Sequence, residues 1–494
     1  MKSAKVTNFS TVFLWLALLF VAMFTRFYDL ANKPIHFDES INGWFVMQMQ
    51  SMGYYKYDPN NYHGPLYFYL LHFFEFLCGR SLEVLRTVPA VFSVLSVMIF
   101  SFGVLSSKSV LRWMLFFVLL SPAFIFFGRS GIHEMPFVFF QLVMVLGLLR
   151  WIENQDGKAL GYVLVGLWGM ITLKETFTIT LVCFTLAFLS LGPTQWRLFS
   201  WAKIKEAWHP RLTVLSLVLL LLFVQLFTGF FKNLAGLPDF VKAFLPWAKT
   251  GVHGKGHDKV FLYWIQVLWE AEPIVLLGVL LSFWGVFSKD KMFHFMSVFS
   301  LSQLLIYSLI PYKTVWCVLS LVWGFYFVIA LALTKIVHLR WAVLLLSVFS
   351  VHSAYTSVYR HPIRMEHPYV YVNSTYDLVT LYNGIMETTR SHPEMLKGPV
   401  QIGLKEQWPW PWLLRSFQGF DYNLCSKKLH ENALLYICDL SDASVVDYEV
   451  AEPYWKLKVV LRQSKEPSLI YLKKSAFPKV PFQDKAEVVG EEEF

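Results

Sequence analysis

Windows of about 17 to 25 apolar residues recur from residue 10 to about 358 and then stop, and that is the length a helix needs to cross a hydrocarbon core of roughly 30 Å. A chain built this way has few folds open to it. Backbone polar groups in lipid must be satisfied within the segment, so repeated apolar runs of this length predict a bundle of membrane helices. The windows fall at 9–28, 84–106, 110–128, 134–151, 159–173, 176–192, 212–231, 272–288, 292–310, 314–334 and 341–358, about eleven spans in all. Composition agrees, since 56% hydrophobic residues against 16% charged lies outside the range of soluble domains.

An odd number of spans puts the two ends on opposite sides, and Lys2 and Lys5 favour a cytoplasmic start. The first span lacks a small-residue cleavage site and reads as an uncleaved anchor. The tail is then extracytoplasmic, in a multi-pass protein of the cytoplasmic membrane. Basic residues of the external segments are costly at membrane level unless they meet a polar cavity or an anionic partner. An anionic substrate would supply that partner, although a net charge of +9 also suits cytoplasmic loops facing anionic lipid.

The spacing divides the chain into a membrane domain, 1–358, and a small α/β domain, 359–494, so the fold class is an all-α polytopic bundle with a C-terminal α/β soluble domain. The external segment 30–83 predicts two interfacial helices, one in HFDESINGWFVMQMQ and one in GPLYFYLLHFFEFLCG, which is too short to cross. Residues 232–271 predict an external loop in which Gly251, Gly254 and Gly256 precede the aromatic FLYWIQVLWE, a layout that suits a lid. Beyond 359, YVYVN, VQIGL, ALLYIC, KLKVVL and SLIYL read as strands and Thr375 to Arg390 as a helix, before the acidic tail GEEEF. Cys425 and Cys438 could pair in an oxidising compartment, which spacing alone leaves open; Cys78, Cys183 and Cys317 read as buried apolar residues.

Chemistry is concentrated at the external helix ends. Asp38 and Glu39 open the first interfacial helix, either as a catalytic acid pair or as capping acids of a first turn. His63 stands beside Gly64 and Pro65 in YHGPLY; Arg129, His133 and Glu134 share FGRSGIHE; Lys174 and Glu175 interrupt TLKETF; Lys313 sits in PYKT. The bland readings are a turn and cap, interfacial anchors, and a tight turn with a local ion pair. Together these residues suggest a carboxylate base beside a ring of cations, suited to deprotonating an attacking hydroxyl while a phosphate leaves. A leaving phosphate needs no acid, so one carboxylate suffices, unlike glycoside hydrolysis. His36, His63, His133, His253 and His257 could assist a divalent metal at Asp38, but no ligand spacing is diagnostic.

The external DE pair, the GPLY helix and VLRTVPA entering the next span resemble the C superfamily of integral-membrane glycosyltransferases, especially its protein mannosyltransferase and aminoarabinose transferase branch. YHGPLYFYL, FGRSGIHEMPF, LKET, GHDKVFLYWIQVLWEAEP, PYKTVW, HPYVYVNST and EQWPWPWLLR are, in order, similar to the flippase-activity-associated family of archaeal and bacterial membrane proteins. The resemblance implies Asp38 as base with Glu39 as companion, and Arg86 near the donor phosphate. Arg129, Lys174 and Lys313 are further phosphate candidates, and His63, His133, Glu134, Glu175 and His257 complete the site candidates. It implies an inverting hexosyl or pentosyl transferase that uses a polyprenyl-phosphate sugar donor, with a glycan, lipid or protein acceptor and no nucleic acid. The alternative is a transporter, flippase or flippase accessory for lipid-linked sugars, whose usual mid-membrane breaks and paired repeats are not evident here.

Overall fold

The computed structural model describes residues 9–106, 109–253, 257–450, 453–463 and 465–479. Lys2, Lys5, Gly254, Gly256, the side chain of His253 and the tail GEEEF lie outside the described residues. The chain divides into two compact units, Met1–Asn32 with Phe45–Tyr369, and Lys33–Trp44 with Val370–Phe494.

The first unit is a polytopic membrane bundle. All eleven expected segments fall on helices. Six of them, Leu82–Ser101, Glu134–Asn154, Pro210–Phe227, Lys291–Leu309, Val315–Ala332 and Leu339–Arg360, are long and apolar enough to cross on their own. The other five are shorter or broken, for local reasons the sequence carries. Ser121 and Pro122 split Ser109–Leu120 from Pro122–Phe127, with Ser121 capping the second helix and Pro122 at its first position, where a missing N–H costs nothing. Phe177–Ser190 and Pro193–Ala207 meet at a bend of 116° after Gly192. Gly157–Leu173 stops where Lys174 turns extended.

Between the spans lie two further helices at the expected places, Phe37–Met52 and Leu66–Cys78. Among the described residues of 232–271 are three short helices, Gly236–Lys242, Phe244–His253 and Tyr263–Ala271. Leu234, Val241, Leu245, Val252 and Trp269 on this stretch are exposed, which suits helices lying in the membrane interface.

The second unit is built on a mixed sheet of β1 (Pro399–Gly403), β2 (Gly419–Asp421), β3 (Leu435–Asp439), β4 (Tyr454–Val459) and β5 (Ser468–Lys473), in the order β2-β1-β3-β5-β4. β1 runs parallel to β2 and β3, while β5 is antiparallel to β3 and β4. Four of the five expected strands are β1, β3, β4 and β5. The short β2 lacks the apolar alternation that would announce it. The fifth expected strand, YVYVN, is absent. Val372 takes a φ of 50°, which few β-branched residues adopt, and this breaks the extended run into single bridges, His36 with Asn373 and Ser374 with Arg462. The expected helix runs Tyr376–Ser391, capped by Thr375. Cys425 and Cys438 are joined as a disulfide within a core that includes Tyr436, Val446, Tyr454 and Tyr471.

Candidate functional site

The Asp38 segment belongs to the second unit, and its geometry follows from how its helix begins. His36 is the residue before the first turn of Phe37–Met52, and its backbone N–H donates to Glu39 Oε2 at 2.8 Å. A glutamate at the third helical position reaching back to the cap residue's N–H is one half of a capping box. The His36 ring supplies the other half, because its Nδ1 accepts from the Asp38 N–H at 3.1 Å. Its Nε2 lies 2.7 Å from the Tyr371 carbonyl oxygen, so Nε2 carries the proton and donates while Nδ1 accepts. That tautomer is neutral. Burial, ahead of the nearby Asp38 and Glu39 charges, holds His36 below its ordinary value.

These contacts separate the two acids expected as a pair. Glu39 is fully buried and acts on its own helix terminus; Asp38 is half-buried, and among the described residues none donates a hydrogen bond to its carboxylate. Residues of the C-terminal part hold the segment in place. Arg462 stacks over the Phe37 ring at 4.6 Å while pairing with Glu406 at 2.6 Å, and Trp44 meets Trp408 edge-on at 5.7 Å.

In the first unit, five of the expected residues converge. Lys174 and Glu175 follow one another where Gly157–Leu173 ends, and they pair with different partners rather than with each other. Lys174 pairs with Glu134, at the start of Glu134–Asn154, and Glu175 Oε2 lies 3.1 Å from His63 Nδ1. The bland expectation of a local ion pair at LKET is therefore corrected. Breaking the helix at Lys174 sends consecutive side chains to two elements. His133 completes the group, with its ring 4.7 Å from His63 and 4.2 Å from Tyr67, and its buried Nε2 lacks a hydrogen-bond partner. Burial, then the neighbouring His63 and Lys174 charges, keeps this ring well below its ordinary value.

The loop bearing His63 is tightly specified. Tyr62 has a φ of 48°, its N–H donates to the Asp58 carbonyl, and its own carbonyl accepts from the Tyr57 hydroxyl at 3.2 Å. A non-glycine residue held there costs on the order of 1–3 kcal/mol, and such strain clusters at functional sites. Gly64 donates its N–H to Leu173 O at 3.0 Å and packs so closely that a Cβ would sit 2.2 Å from Thr172 O. Beside this loop is a cavity walled by Tyr57, Phe227, Phe240 and Phe244, with Gly64 and Glu175 also lining it.

A second group is made of arginines. Arg129 donates to the carbonyls of Tyr28 at 2.7 Å and Asp29 at 2.6 Å, and lies over the Tyr359 ring at 5.1 Å. Burial lowers it to about 10, so it stays charged at neutral pH. Arg86, fully buried, donates to the Leu30 carbonyl at 2.8 Å. These contacts pin the turn that follows the first span. Arg26, which the sequence gives no reason to single out, joins them through Ser93, Val118 and Leu119.

Lys313 stands in a third place. Its Nζ donates to the carbonyls of Lys259 at 3.2 Å and Ile310 at 2.5 Å, and it is 2% exposed with no carboxylate at ion-pair distance among the described residues. Burial, partly offset by Asp258, lowers its ordinary value. His257 belongs here and not with His63, since its carbonyl accepts from the Lys313 N–H and its ring meets Tyr312 at 5.2 Å. Glu272 is the buried acid that sequence reading missed; it accepts from Ser121 at 2.7 Å, the Ala123 N–H at 2.8 Å and Tyr326 at 2.6 Å. Its one signal was an acid directly before an apolar run beginning with proline. No group of three or more His, Cys, Asp or Glu residues able to hold a metal is present among the described residues.

The fold defines a class, a multi-pass helical membrane protein with an appended α/β domain. No family model and no curated protein sequence matches the chain. Solved structures do match. ArnT from Cupriavidus metallidurans bound to undecaprenyl phosphate gives a TM-score of 0.64 at 11% identity, covering 94% of this chain and 98% of that one. Its apo state gives 0.60 at 12% identity, covering 93% and 97%. The chain therefore has the ArnT fold nearly end to end, and the fold expected from the sequence resemblance is borne out.

Proposed function

We propose that this chain is an inverting glycosyltransferase of the cytoplasmic membrane that moves a monosaccharide from a polyprenyl-phosphate donor to an acceptor on the outer face. The observation carrying this reading is the near-complete correspondence with a fold solved with undecaprenyl phosphate bound. A cytoplasmic N-terminus and an extracytoplasmic α/β domain go with it, and the Cys425–Cys438 disulfide supports an oxidising setting for that domain.

Asp38 is the base. Its carboxylate is fixed at the first turn of a helix, half-buried and without a donor partner, so its lone pairs are available to an acceptor hydroxyl. Glu39 and His36 position it by capping that turn. Lys313 is the leading phosphate contact, because a buried ammonium bonded only to carbonyls is matched by an anion. Arg86 is retained as a second contact. Arg129 holds the turn after the first span, and Lys174 is matched by Glu134.

The test is incubation of purified full-length protein with polyprenyl-phosphate sugar labelled in the sugar. Wild type is expected to release label to an acceptor. Asp38→Asn should lower turnover by about 10²–10⁴-fold, the usual share of a positioned base, and equal release from both proteins defeats the assignment. Lys313→Ala should instead raise KM for the donor by about tenfold or more, as loss of a charge-assisted contact of roughly 1.5–3 kcal/mol requires.

A further inference from the structure

The sheet of the second unit runs in the order β2-β1-β3-β5-β4, with β1, β2 and β3 parallel. The chain leaving β1 goes to β2 on one side, whereas the chain leaving β3 passes through Ala443–Val450 to β4 on the other. Parallel neighbours whose connections depart in opposite directions leave a crevice outside their carboxyl ends, which is where open α/β sheets bind ligands. Gly403 and Cys438 are the partners at that end, so the crevice is edged by the residues that follow them. The Lys405 N–H donates to Asp439 Oδ2 at 3.1 Å, tying the two strand ends together and fixing a half-buried carboxylate between them, with Lys405 and Glu406 exposed.

The same end of β1 leads to the Asp38 helix. Glu406 pairs with Arg462, which covers Phe37, and the half-buried Trp408 indole meets Trp44. Phe37, Asp38, Ile41 and Trp44 are all half-buried, and their spacings of three and four line one side of Phe37–Met52. Six helical residues put Trp44 about 9 Å along the axis from Asp38. All of these residues belong to the second unit.

We propose that Asp439, Lys405 and the Trp408–Trp44 pair form the subsite for the acceptor, and that this acceptor is a saccharide. Indole faces suit the C–H face of a pyranose, while the Asp439 carboxylate accepts from its hydroxyls and the Lys405 ammonium donates to them. A phosphate group fits less well, because Asp439 and the exposed Glu406 both present carboxylates there. A peptide acceptor bound as an added strand needs an open sheet edge, and β1 and β3 are each paired on both sides. The inference deepens the transferase reading and rests on it for the presence of an acceptor.

The test is saturation-transfer NMR on the full chain in nanodiscs, with the methyl pyranosides of glucose, mannose, galactose, N-acetylglucosamine and arabinose. At least one is expected to bind, with affinity falling about tenfold or more in Asp439→Asn and in Trp408→Ala, the size of one lost charge-assisted contact. Asp439→Asn keeps an oxygen for the Lys405 N–H, and it decides alone where Trp408→Ala is not monodisperse in gel filtration. Absence of signal from every glycoside, signal unchanged in the variants, or binding of a serine-rich peptide in place of any glycoside overturns the inference. In the Asp38→Asn protein the glycoside is expected to stay bound when a polyprenyl-phosphate sugar is added; its displacement gives the site to the donor and likewise overturns the inference. Variant-sensitive glycoside binding in a protein that releases no label from the donor, to acceptor or to water, removes the transferase reading and leaves a saccharide site. Transfer without such binding does the reverse.

Discussion

His36 and Glu39 illustrate how much one helix start decides. Either acid of HFDES could be a base by residue type, yet one is bonded to a backbone N–H and the other is not. The neutral His36 tautomer donates from Nε2 and accepts at Nδ1, so protonating Nδ1 would set an N–H against the Asp38 N–H. Because the folded value lies below the unfolded value of 6.5, this residue's contribution is fully present above about pH 6.5. It is lost as pH falls from there through the depressed native value. Thermal unfolding followed between pH 7.5 and 5 should therefore show stability falling with acidification, and His36→Asn should flatten part of that slope. An identical slope in the variant removes His36 from the account.

At the scale of elements, the informative features are breaks. Gly157–Leu173 ends at Lys174 because the backbone turns extended there, and that single break lets Lys174 reach the start of Glu134–Asn154 and Glu175 the loop that bears His63. Gly64 then seats the His63 loop on the same helix end. Replacing it by alanine would drive a methyl group to 2.2 Å from the Thr172 carbonyl oxygen, a backbone atom that cannot swing aside. Gly64→Ala is expected to cost about 1–3 kcal/mol, as overpacking typically does, and to separate His63 from Glu175. Unfolding measurements read the first effect, and a crystal structure of the variant reads the second. The broken helices at Ser121–Pro122 and Gly192 follow the same rule: proline, glycine and a capping serine end spans that hydropathy alone would run on.

Over the whole molecule, the residues held by the C-terminal domain include part of the N-terminal third of the chain. Lys33–Trp44 groups with Val370–Phe494, so the segment carrying Asp38 is held by Tyr371, Arg462 and Trp408. Deleting residues 359–494 would remove that support, and loss of activity in such a deletion is expected even with chemistry at Asp38. A milder perturbation is more telling. Cys425→Ser opens a loop of sequence separation 13 and should lower the domain's stability by about 2–4 kcal/mol in denaturant unfolding. Transfer should fall in parallel as His36 and Phe37 lose their hold. Full transfer from a domain shown to be loosened breaks the proposed link between domain and base.

The sequence by itself determined the membrane bundle, the two helices Phe37–Met52 and Leu66–Cys78, four of five sheet strands and the clustering of ionisable residues at helix ends. Each of these follows from local pattern: span length, alternation, and the high cost of charge in hydrocarbon. Tertiary structure decided the partners. Nothing near Lys174 in the chain indicates Glu134, nothing near His63 indicates Glu175, and nothing in HFDES tells its cap from its free carboxylate. Those assignments depend on atoms brought together from distant positions, where a hydrogen bond at 3 Å decides whether an ionisable group holds the fold or remains available for a substrate.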